Sequence, residues 1–255
     1  VRKVIAIALN GFREEVRNRI LYTILAFALA MILGSVILAT LSVGGEVKII
    51  KDLGLAALSL FGTLIAIFIG IGLVSKEIER RTIYTIVAKP IPRHEFILGK
   101  YLGLLITLFV NVAVMACVLL LVTYLVEGRW SLELFPAFLL TFVELMVLTA
   151  VAVLFSTFTT PTLSAIFTLS IFVIGRFSQD LKAFADQFGG PALRAVAFTL
   201  YYLLPNLSYF NIRGQVVHGI PVPLTFLWFS TLYGLFYLSA LLLLAALIFQ
   251  RRDFK

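Results

Sequence analysis

Glu144 stands near the middle of the apolar run AFLLTFVELMVLTAV, where an ionised side chain is costly in hydrocarbon and so points to an ion or proton pathway. Thr141, three residues earlier, shares its helical face and is close enough to hydrogen-bond it. Leu148, one turn on, offers nothing polar, and Thr149 lies roughly 140° away around an ideal helix. Glu144 therefore needs a partner from another segment, as part of a polar pathway lining or of a seam between two copies. The plainer reading is a carboxyl satisfied by neighbours inside the bundle. No other chemistry is written in a motif. The only Gly-Lys pair, Gly99-Lys100, is followed by Tyr101, and His94 stands where a nucleotide-cradling loop needs its first glycine. There is no Gly-x-Ser-x-Gly elbow and no His-Glu-x-x-His. His94 and His218 are far apart in sequence, and the single Cys117, inside an apolar run, reads as a small buried apolar residue. No metal site and no bound cofactor are expected of this chain.

The densest charge lies in SKEIERRTIYTIVAKPIPRHEFILGKY, Ser75 to Tyr101. Glu77, Glu79, Arg80 and Arg81 precede a short apolar stretch, Thr82 to Ala88, and Lys89 and Pro90 close it. A heptapeptide helix is unstable alone in water. Ile83, Ile86 and Val87 supply the spacings of three and four with which a helix fills a groove on a partner. Pro90 and Pro92 end it, and Pro92 can open a following helix with Glu95 near its positive end. A merely solvated basic loop accounts for the arginines but not for the apolar residues between them.

The elements that must hold these residues follow from composition. Of 255 residues 61% are hydrophobic and 13% charged, with a mean hydropathy of +1.06. Soluble domains carry about 25% charge, so lipid is the solvent that fits. Six apolar runs reach or approach the roughly 20 residues of a crossing helix. They are 20–43, 53–74, 101–126, 132–155, 161–174 and 224–249. The fifth is short, and either extends backward through Thr159 and Thr160 or has its far end buried in protein. The net charge of +8 comes from basic residues clustered in short segments, which suits membrane orientation and anionic headgroups better than nucleic acid. Arg2, Lys3, Arg13, Arg17 and Arg19, then Lys76, Arg80, Arg81, Lys89, Arg93 and Lys100, then Arg251, Arg252 and Lys255 lie on one side of a six-span topology. That is two thirds of the 21 basic residues, so the termini and the 75–100 loop are expected in the cytoplasm.

Ahead of the first span, Ile5, Leu9, Phe12 and Val16 form one helical stripe, which predicts an amphipathic interfacial helix over 1–19. The first apolar run is too long for a cleavable leader. Between the fifth and sixth runs, 176–223 reads as external helices: FSQDLKAFADQF, a break at Gly189-Gly190-Pro191, then ALRAVAFTLYYLLP. Tyr201, Tyr202, Tyr209 and Phe210 are expected as interfacial aromatics. The whole chain, 1–255, reads as one all-α polytopic membrane domain.

The spacing Glu77, Thr82, Pro90, Arg93, Glu95, Gly99, Lys100 resembles the cytoplasmic loop of ABC-2 type transporter permeases. ALNGFREEVRNRILY resembles that family's opening interfacial helix, and the six-run layout matches as well. Arg81 departs from the family, which usually has glycine there. The resemblance implies a non-catalytic permease subunit of an exporter. Its coupling helix between spans 2 and 3 would dock on a separate cytoplasmic ATPase that binds ATP and magnesium. It also implies a second permease copy, identical or related, re-entrant or interfacial external helices, and the inner membrane of a prokaryote. The ATPase-coupling residues would be Glu77, Glu79, Arg80, Arg81, Thr82, Ile83, Ile86, Val87, Pro90, Arg93, Glu95, Gly99 and Lys100. The alternatives are a non-transporting scaffold or assembly factor, and an ion-coupled carrier centred on Glu144. The cargo is not written in the sequence. Aliphatic and phenylalanine side chains suggest something amphipathic or lipid-like.

Overall fold

The computed structural model describes residues 2–42, 44–79 and 93–251. Among them the regular elements are all helical: α1 (Arg2–Val16), α2 (Arg19–Ala39), α3 (Glu46–Glu79), α4 (Arg93–Glu127), α5 (Phe135–Ser156), α6 (Pro161–Arg176), α7 (Ser178–Phe188), α8 (Pro191–Leu203), α9 (Arg213–Val217) and α10 (Leu224–Arg251), with short 3-10 turns at Leu132–Leu134 and Leu207–Phe210. Five helices among the described residues are long and apolar enough to cross a membrane. A sixth crossing arises if α6 and α7, bent by 61° at their junction, count as one.

Local chemistry sets the helix boundaries. Asn18 caps α2, its side chain accepting from the Ile20 N–H at 3.1 Å, and so breaks α1 from the first span. Pro161 and Pro191 open α6 and α8, where a missing N–H costs nothing. Hydroxyls inside the spans fold back on their own helix. Thr107 donates to the Gly103 carbonyl, Thr149 to Leu145 and Thr168 to Ser164, at 2.7–3.0 Å, which satisfies these donors away from water, although the buried Thr63 hydroxyl of α3 has no such partner among the described residues.

The core is α3 against α5, with α2 and α4 packed on α3, and α6 and α10 on α5. Lipid offers no hydrophobic drive between helices, so close backbone approach matters more. Gly62 and Gly70, two turns apart on α3, face Leu145 and Ala152 of α5, and a Cβ on Gly70 would meet that of Ala152 at 2.5 Å. α3 and α5 are the most deeply buried spans, while α2 and α10 present Phe27, Ile37, Phe229 and Phe236 outward.

Two sequence expectations are corrected. Cys117 is exposed on the outer face of α4, since lipid-facing and core-facing positions are equally apolar. Phe210 is 1% exposed, packed against Tyr233 and Gly234 inside the bundle, whereas Tyr202 does lie outside. The fifth span takes the second of its two forms. α6 starts at Pro161 and rises only about 24 Å, short of the roughly 30 Å of hydrocarbon. Its far end is buried, with no room for a side chain at Gly175 beside the Pro205 carbonyl.

Candidate functional site

Three clusters of functional groups sit at three levels of the bundle. The first is at the end that carries α1. Glu77 and Glu79 lie in the last turns of α3, and Arg93 and Glu95 in the first turn of α4. The coupling positions Arg80, Arg81, Thr82, Ile83, Ile86, Val87 and Pro90 lie outside the described residues. Gly99 and Lys100 pack against α1. A Cβ on Gly99 would meet Ile7 at 2.9 Å and the Val4 carbonyl at 3.0 Å. One turn on, a Cβ on Gly103 would come within 2.6 Å of the Ala8 carbonyl and 3.2 Å of the Phe12 nitrogen. Gly99-x-x-x-Gly103 thus forms a smooth strip on which α1 lies backbone to backbone. Lys100, its side chain 9% exposed, donates to Glu14 at 3.2 Å across the same contact. The face of α1 turned to α4 is Val4, Ala8, Gly11 and Glu15, not the apolar stripe Ile5, Leu9, Phe12, Val16, of which Ile5 and Leu9 stay exposed. That division fits a helix held to protein on one side and resting in an interface on the next.

Gly103→Leu is a sharp test of this contact. The new side chain meets backbone, which cannot swing away, and overpacking of this kind costs about 1–3 kcal/mol. The expected result is an α1 lifted from α4, read as rapid deuterium exchange over 4–16 with the spans still protected. Unchanged protection would contradict it.

The second cluster is inside the bundle. Glu144 on α5, 1% exposed, receives Arg176 from the last turn of α6, Nη1 to Oε1 at 2.6 Å. Arg176 also reaches Ser59 of α3 at 3.4 Å. The partner that Glu144 needs from another segment is thus Arg176, a residue assigned from the sequence to the start of the external segment. Thr141 lines the same small cavity, with Asn211 and Arg213, but no hydrogen bond joins it to Glu144. Arg176 is the hinge residue: α6 ends there and the chain turns by 61° into α7. The pair therefore ties α3, α5 and the bent helix pair at one point.

The third cluster forms the opposite rim. Asp52 of α3 accepts Arg213 of α9 in a two-pronged bond, at 2.5 and 2.6 Å. Beside it Lys51, with its side chain 5% exposed, bonds Glu127 at 3.0 Å and Glu133 at 2.6 Å, and so clamps α3 to the α4–α5 turn. Lys51, Glu127 and Glu133 border a cleft of about 540 Å³ that Glu46, Lys48 and His218 also line. Gly44 and Gly219 turn the chain there with φ of 82° and 68°, a conformation that disfavours any side chain. In the α7–α8 pair, Lys182 of α7 lies 4.5 Å over the Tyr201 ring of α8, and Arg194 caps α7 by donating to the Ala185 and Asp186 carbonyls. Sequence reasoning missed the Lys51, Asp52 and Arg213 pairs. Their one visible sign is adjacent opposite charges at the head of an apolar run.

Among the described residues no group of three His, Cys, Asp or Glu side chains converges on a metal-sized site. Fold and charge together define a polytopic α-helical membrane protein whose polar groups pair with one another inside and at the ends of the bundle. The sequence profile of the family described as ABC-2 family transporter protein matches residues 5–254, and the chain belongs to that family. It is therefore a multi-pass membrane permease component of an ABC transporter. No curated protein matches the sequence.

Proposed function

We propose that this chain couples ATP hydrolysis by a separate cytoplasmic ABC ATPase to movement of an amphipathic or lipid-like cargo out of the cell. The segment 80–92 is the coupling element, and Ile83, Ile86 and Val87 fill a groove on the ATPase. Two permease copies pair, each with its own ATPase. ATP and magnesium bind in the ATPase, whose closure moves the α3–α4 ends as a rigid body.

The observation that carries this reading is the lock between α1 and α4. The residues just beyond the coupling segment, Gly99 and Lys100, are fixed to the interfacial helix by backbone contact and an ion pair. A push on 80–92 would therefore move α1 and α4 together. The basic residues at this end support a cytoplasmic placement, in the inner membrane of a prokaryote. The Glu144–Arg176 bond favours a structural tie over a proton relay, because it compensates the acid inside the bundle.

The test is purification from membranes in which the chain is co-expressed with an ABC ATPase, taken from the neighbouring genes where they encode one. The expected result is a stable complex whose ATP hydrolysis exceeds that of the free ATPase and rises further with an amphipathic substrate. A permease that purifies alone, or a complex with unchanged hydrolysis, would contradict the proposal.

A further inference from the structure

A groove of about 380 Å³ opens toward the bilayer where α1 meets α4 and α5. Ile5, Ala8 and Leu9 form one wall, Leu102, Leu105, Ile106 and Phe109 the other, and Phe142 stands at the far end. From Leu102 to Phe109 it runs about 10 Å along a span. There it is closed by the edge-to-face pair of Phe109 and Phe142, whose ring centroids are 5.7 Å apart. Its lining is almost wholly apolar, and Ile5, Leu9, Leu102, Ile106 and Phe109 remain exposed.

The row that forms the α1 wall does not stop at the groove. Ile5, Leu9 and Arg13 follow one another at four-residue steps along α1, and Arg17 stands in the turn just past its end. Helical side chains lean toward the N-terminus, which brings the Arg13 stem over the turn that holds Leu9. Arg13 and Arg17 are exposed and make no ion pair among the described residues. The acid between them in sequence, Glu14, is engaged by Lys100 instead.

We propose that this groove holds an acyl chain of an anionic phospholipid, with the lipid phosphate on Arg13 and Arg17. The two halves of the site match the two halves of that ligand: an apolar slot, and two uncommitted guanidiniums, Arg13 one turn beyond the Leu9 wall and Arg17 just past the end of α1. A second copy of the chain fits less well. A two-fold contact sets the same patch against itself, and the groove lining carries no acid to pair Arg13 and Arg17. A bound lipid would wedge α1 against α4 next to the Gly99–Gly103 strip, so the seating of α1 would respond to lipid charge. The site stands independently of the proposed coupling to an ATPase.

Quenching by brominated lipid tests it. The full chain carries Trp130→Phe and Trp228→Phe, with one new reporter, Ile106→Trp, and is reconstituted in phosphatidylcholine nanodiscs. Acyl-brominated phosphatidylglycerol should quench the reporter more than brominated phosphatidylcholine at equal mole fraction. Each of Arg13→Gln and Arg17→Gln should lower that preference about fivefold. A control reporter, Phe236→Trp on the outer face of α10, should show no preference. Because the new tryptophan could itself fill the slot, the chain with native Ile106 is compared with R13Q/R17Q by native mass spectrometry in mixed lipid. The former should retain one phosphatidylglycerol per chain and the latter should lose it. Equal quenching by both lipids at position 106, or a preference indifferent to both arginines, would overturn the site. So would an unquenched reporter with cysteines at positions 9 and 106 cross-linking two copies, which would give the groove to a second chain.

Discussion

Ile86→Asp strips the ATPase from the purified complex and leaves the permease inserted in the membrane at its normal level. The substitution puts a carboxylate where the 82–88 segment offers its apolar row, Ile83, Ile86 and Val87. A charge buried without a partner costs about 3–5 kcal/mol, or two to four decades in dissociation constant, enough to empty a micromolar docking site. Insertion is untouched because the change lies outside every apolar run. Ile86→Leu keeps volume and polarity and should keep the complex. The measurement is co-purification of the ATPase with each variant, beside the amount of permease in the membrane fraction. An undiminished complex from Ile86→Asp would count against the placement of the coupling helix.

Arg176→Ala destabilises the bundle more than any surface substitution should. Removing one member of a buried ion pair leaves the other charge uncompensated, at about 3–5 kcal/mol. Glu144 is 1% exposed and is bonded to no other cation among the described residues. The site also joins three helices, so the loss falls on the α6–α7 bend as well as on α5. Replacing both partners by apolar residues of similar size, Glu144→Leu with Arg176→Met, should recover much of the loss, because neither charge then needs solvation. Thermal unfolding in detergent of the two single variants and the double variant gives the coupling directly. If Arg176→Ala costs less than about 1 kcal/mol, the range of exposed pairs, the bond does not hold the bundle. The same variants bear on the carrier reading. In that reading Glu144→Gln abolishes pH-dependent transport, whereas as a structural tie it weakens the bundle and leaves the pH profile in place.

Much of this architecture is visible before folding. The spans follow from apolar run lengths, and the break at Gly189-Gly190-Pro191 follows from glycine and proline chemistry, whereas the Asn18 cap shows only in the fold. What pairs with what is not visible. Arg176 and Glu144 are 32 positions apart, and Asp52 and Arg213 are 161 apart. No local pattern ties them, although a lone intramembrane acid does demand a partner. The side of each span is also hidden, because lipid and protein interior ask for the same side chains. Cys117 and Phe210 are misplaced from sequence for that reason. The Gly99-x-x-x-Gly103 strip goes unread in the sequence, and only the fold shows that it receives α1.

The central claim is that the segment between α3 and α4 is gripped by the ATPase, and a photo-cross-linker in place of Tyr84 tests it within the intact complex. The account predicts a single adduct, to the ATPase, that disappears when Ile86→Asp is added. An intact, hydrolysing complex in which position 84 labels only lipid, or reacts only with reagents outside the cell, would contradict it.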